Sequence, residues 1–198
     1  MVSSLVFALS LLTTPFAASA AKPNTVKVPR ASTSGDLTGS GTLQVVIGSG
    51  GNVSATTDFS TSTPADIVGC LNAAGQFTLD DCATYTVTDT YYVETSNGIC
   101  SFYNSSSPAN TDDYYGAYDY ALTCWEHTGV IGSDVTFYTV EGMAYNFLGN
   151  GDTDFYYDVP GLPETSTDAL NFWRFVWGGE ETDVPAGHYR ALLLFGSS

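Results

Sequence analysis

His127 and His188 are the only imidazoles in this 198-residue chain, and Arg174 and Arg190 are the only cationic side chains after residue 30. With Glu141 they amount to the parts of an acid–base nuclease. An imidazole or carboxylate would move the proton, and a guanidinium would hold the phosphate charge. The same histidines could serve a serine hydrolase as base, but the sequence contains no G-x-S-x-G elbow. Glycoside hydrolysis asks instead for two carboxylates across a sugar, with aromatic rings to stack on it. Glu126 and Glu141 could form such a pair. In "NFWRFVW" a strand would place Trp173, Phe175 and Trp177 on one face and Phe172, Arg174 and Val176 on the other. That row of rings is either a sugar-stacking platform or half of a sandwich core. Arginines inside strands of an acidic protein have a simpler expected use, each holding a partly buried carboxylate. The residues singled out for ligand binding are Trp173, Trp177, Arg174, His188 and Glu141. No catalytic residue is assigned.

Two acid-rich runs could hold a cation. "GNGDTDFYYDVPG" starts like an EF-hand loop, with Asn150, Asp152 and Asp154 alternating. The order then fails, with Phe155 at the sixth position and Gly161 at the twelfth. Asp152 and Asp154 remain as calcium candidates, the alternative being a solvated turn shaped by Asn and Asp. "NTDDYYGAYDY", with Asp112, Asp113 and Asp119, presents the same choice. No cofactor is expected.

Charge limits the partners. The formal net charge is −16, and every one of the 21 acidic residues follows Arg30. Such a field repels phosphate backbones and anionic membranes, so neither nucleic acid nor a membrane is expected as partner. A basic protein or a glycan, on a host or in a cell wall, fits better.

The amino terminus carries an apolar stretch from Leu5 to Leu12 and the small-residue run Ala18-Ser19-Ala20. This is the pattern of a secretory signal peptide, expected over residues 1–20. Residues 21–40 are rich in Ser, Thr, Gly and Pro and read as a flexible leader, with "KVPR" a possible processing site. Residues 41–198 form one β domain. Its four cysteines, Cys70, Cys82, Cys100 and Cys124, suggest two disulfides in an oxidising compartment. Sequons at Asn52 and Asn104 are candidate N-glycosylation sites.

The elements that must position these residues read as strands. β-branched and aromatic residues dominate from Thr42 onward, and turn residues recur at short intervals. The expected fold is all-β, a single antiparallel sandwich or barrel of about eight to ten strands. In "YYVETSNGICSFYN" the Asn97-Gly98 pair predicts a type I′ hairpin turn, with Thr95 opposite Cys100. Tyr91, Val93, Cys100 and Phe102 then share the core face. "YDYALTCW" places Leu122 and Cys124 together on an apolar face, which favours bridging Cys100 to Cys124 and Cys70 to Cys82. "YRALLLF", apolar on both faces but for Arg190, predicts a central buried strand.

"GCLNAAGQFTLDDCATYTV" and "SNGICSFYN" together resemble the small cysteine-bearing secreted proteins of fungi, some of them candidate effectors. The shared features are Cys70-Leu71, Gly75-x-Phe77-Thr78, Cys82-x-x-Tyr85-Thr86 and Gly98-x-Cys100-x-Phe102. The resemblance implies an extracellular location and disulfides, and it carries over no active-site residue. The leading expectation is a secreted, non-enzymatic binding protein, a fungal effector or cell-surface-associated protein. The alternatives are a carbohydrate-active protein, binding or hydrolysing polysaccharide, and an acid–base ribonuclease.

Overall fold

The computed structural model describes residues 37–116, 119–127, 136–139, 143–150, 155–176, 178 and 182–197. The fold is all-β, built around two long neighbouring strands. These are β1 (Gly39–Val46) and β12 (Tyr189–Ser197), the first and last of the twelve strands among the described residues, paired antiparallel from Gly41↔Ser197 to Val46↔Leu192. Each long strand changes partner along its other edge. β1 pairs through Gly39–Gly41 with β4 (Tyr85–Val87), and through Gln44–Val46 with β2 (Ile67–Leu71). β12 pairs with β10 (Tyr157–Val159) at its start and with β9 (Phe147–Asn150) further on. The remaining strands extend this spine as one antiparallel sheet. They are β3 (Phe77–Thr78), β5 (Val93–Thr95), β6 (Gly98–Ser101), β7 (Thr123–Trp125), β8 (Phe137–Thr139) and β11 (Trp173–Arg174). Twelve strands exceed the expected eight to ten because several are only two or three residues long.

Alternation on the spine divides the interior in two. Leu43, Val45, Ala191, Leu193 and Phe195 face the main core with Tyr85, Phe102, Phe137 and Tyr157. Val46, Leu192 and Leu194 face a smaller cluster with Phe147. "YRALLLF" is therefore apolar on both faces because both are covered. The disulfides pair in sequence order, Cys70–Cys82 and Cys100–Cys124. Cys100 and Cys124 are direct cross-strand partners, and both lie in the main core.

Some sequence expectations are corrected. β1 starts at Gly39 and Leu37 is buried, so residues 37–40, within the stretch read as leader, belong to the described β structure. The β5–β6 hairpin pairs Thr95 with Gly98 and Glu94 with Ile99, two residues out of the expected register. Asn97 lacks the left-handed φ that a type I′ turn needs; its side-chain amide instead donates to the Ala73 carbonyl. Gly98, with φ +115°, sits against the Trp125 backbone where a Cβ would collide. A slip of two preserves the faces, so Val93, Cys100 and Phe102 are buried as expected. Tyr91 does not join them: it is 43% exposed, with φ +63°.

Candidate functional site

The two acid-rich runs meet at one place. Tyr157 and Val159 of β10 face the main core, so Asp158 between them faces the other way. Its cross-strand partners are Trp173 of β11 and Arg190 of β12. Asp158 is fully buried, a structural strand residue rather than part of a solvated turn. Its carboxylate accepts from Nδ1 of His188 at 2.9 and 3.1 Å, and from Nδ2 of Asn110 at 2.6 Å. With a carboxylate as partner, Nδ1 is the protonated ring nitrogen. Nε2 faces Asp112, whose Oδ2 lies 3.6 Å away on a side chain 70% exposed. The Trp173 indole lies nearly parallel to the imidazole, at 10° and 6.4 Å between centroids. Its Nε1–H donates to the Pro108 carbonyl at 3.0 Å.

Pro108, Asn110 and Asp112 contact this cluster. The Ala121 amide donates to the Pro108 carbonyl and the Asn110 amide to the Asp119 carbonyl. Asp113 and Asp119 are buried, unlike the solvated hairpin tip the sequence suggested. Asp119 accepts from Nε of Arg174 at 3.0 Å and from its Nη2, while the guanidinium lies over the Phe102 and Tyr103 rings. Arg190 pairs with Asp183 at 2.8 Å and lies over Tyr156 and Phe175. Both arginines thus hold carboxylates, as their setting predicts.

Of the residues singled out for ligand binding, Trp173 and His188 come together here, while Arg174 is held apart from them by Asp119 and the Phe102 and Tyr103 rings. Trp173 and Phe175 are buried, so they form no exposed aromatic platform. Trp177 and Glu141 lie outside the described residues, as do the calcium candidates Asp152 and Asp154. Among the described residues no group of three potential ligands could hold a metal. Asn52 is exposed in a tight turn bridging Ser49, and Asn104 is half-buried. His127 packs beside Trp125.

A second feature was not legible as a site. A pocket of about 270 Å³ is lined by Leu37, Tyr91, Thr136, Phe137, Tyr138 and Thr139. Leu37 and Phe137 are buried in the main core. The Tyr138 ring lies against Gly149 of β9, where any Cβ would overlap it, and meets Phe155 edge-on. Tyr91 ends the turn that joins β4 to β5. Its amide donates to the Thr88 carbonyl at 3.0 Å, and its own carbonyl accepts from the Phe137 amide at 2.9 Å. It is the one described non-glycine residue with positive φ. Left-handed backbone costs an L-residue about 1–2 kcal/mol and is ordinarily given to Gly or Asn.

No protein-family model matches the chain, and neither a curated protein nor a solved structure matches it. Fold and covalent structure define the class: a disulfide-bonded, antiparallel all-β protein. Disulfides belong to oxidising compartments. Among the described residues no helix is long and apolar enough to cross a membrane.

Proposed function

We propose that this is a secreted, non-enzymatic β protein that acts by binding, of the effector or cell-surface-associated kind that fungi release. The observation that carries this reading is Tyr91, a bulky residue kept in a left-handed turn at a pocket whose described lining residues carry no charge. Folding alone would favour glycine there, and strain of this kind collects at ligand sites. The amino-terminal segment, the disulfides and the acidic field support secretion and a cell-wall or host partner. The test is retention of labelled protein on isolated fungal and host cell walls. Wild type is expected to be retained and Tyr91→Ala to wash through. Absent or equal retention of the two would sink the reading.

A second reading, hydrolysis, is favoured by one specific observation. A buried carboxylate orients His188 and fixes its tautomer, the arrangement that prepares Nε2 to accept a proton. Within this reading a ribonuclease is the weaker form, because Asp119 occupies the Arg174 guanidinium that phosphate would need. A carbohydrate-active protein keeps both options, binding at one place and proton transfer at the other.

A further inference from the structure

We infer that the Tyr91 pocket receives one neutral pyranose ring of a polysaccharide; this rests on the binding reading above and names its ligand class. Size is the first constraint. At about 270 Å³ the pocket lies at the small end of the range of small-molecule sites. That suits one six-membered ring with its substituents.

Charge is the second constraint. The chain carries 21 carboxylates, yet none of the six described lining residues is charged. An ionised ligand group buried there would have no counter-charge among those residues, and burying an unpaired charge is costly. Polarity is the third. Tyr91 and Tyr138 bring ring surface, and with Thr136 and Thr139 they bring hydroxyl groups, while Leu37 and Phe137 are buried in the main core. A pyranose has the matching character, an apolar C–H face bordered by hydroxyls. Tyr91 is held by backbone hydrogen bonds on both sides, so its place at the pocket is fixed before ligand arrives and little ordering cost remains.

The experiment is an NMR titration of the intact protein, following the amides of Tyr91, Thr136 and Thr139. The probes are neutral β-1,3-glucan, chitin and mannan oligosaccharides, with anionic oligogalacturonate as comparator. At least one neutral oligosaccharide is expected to give saturable shifts, weakened about tenfold or more by Tyr91→Ala, the equivalent of ~1.4 kcal/mol. Tyr114→Ala, at an exposed ring outside the pocket lining, is expected to bind as wild type does. No response to any neutral sugar, a response only to the anionic one, or shifts unchanged in Tyr91→Ala would each overturn the inference. If sugars fail while Tyr91-dependent wall retention persists, the ligand class falls and the binding reading stands. If both fail, both fall.

Discussion

Replacing Tyr91 by glycine and by alanine separates the turn's strain from the ring's purpose. Both variants remove the same 43%-exposed side chain, so whatever the ring contributes cancels between them. They differ only in the Cβ at φ +63°. Alanine keeps the left-handed cost of about 1–2 kcal/mol that glycine escapes. Glycine in turn loses about 0.4–1 kcal/mol through its freer unfolded chain. The glycine variant should therefore be the more stable by about 1 kcal/mol, near 2–4 °C in melting temperature for a domain of this size. Urea unfolding at fixed pH measures the gap directly, and equal m-values would show that the denatured states are comparable. Binding should not follow stability: both variants are expected to lose wall retention. An alanine variant as stable as the glycine variant would refute the strain argument. A glycine variant that binds as well as wild type would refute the purpose assigned to the strain.

Asp158→Ala leaves the buried Nδ1 of His188 and Nδ2 of Asn110 without their acceptor, and is expected to cost ~3–5 kcal/mol in urea unfolding. Asp158→Asn keeps the shape but opposes two amide donors, with ~1–3 kcal/mol expected; equal costs would contradict the described network. For the hydrolytic reading, nitrophenyl ester and glycoside turnover by wild type should disappear in His188→Gln; turnover that survives removes His188 as proton carrier. Two exposed loops carry a pH dependence. The Ser60 amide holds the Asp58 carboxyl below the ordinary range, and the amides of Thr165 and Glu164 do the same for Asp168. A lowered folded value means the ionised form stabilises the fold. That contribution is present above the unfolded value of about 3.9 and is lost as pH falls through the lower folded one. Carboxyl carbon NMR should give both midpoints below ordinary aspartate, and a midpoint at or above it would contradict the capping bonds.

Local chemistry made much of the fold legible. The run "YRALLLF" needs no partner to be identified as a strand covered on both faces, and β12 is that strand. Cys100 and Cys124 each fall on an apolar alternation, which brings them opposite one another when the strands pair. The arginines were readable because an isolated cation in an apolar strand must find a carboxylate. The hairpin register was not readable, since Asn97-Gly98 signals a local turn while Gly98 is required by the backbone of β7. Tertiary contact overrode local preference there. Asp158 was hidden for a similar reason: one aspartate among many in acid-rich turns carries no mark of burial. Its partners His188 and Asn110 lie 30 and 48 positions away.

Composition, alternation and cysteine placement alone established a disulfide-bonded β protein, because these depend on neighbours within a few residues or on the bare count of groups needing burial. The meeting of two acidic runs over His188, and the pocket beside Tyr91, belong to contacts between distant strands. Tyr91 shows the difference most plainly. By period it belongs to the core face with Val93, yet its carbonyl bonds the amide of Phe137, 46 residues on, as the turn swings its ring out to the pocket. No periodicity encodes a bond of that range; it exists only when the chain just before β5 meets the chain entering β8.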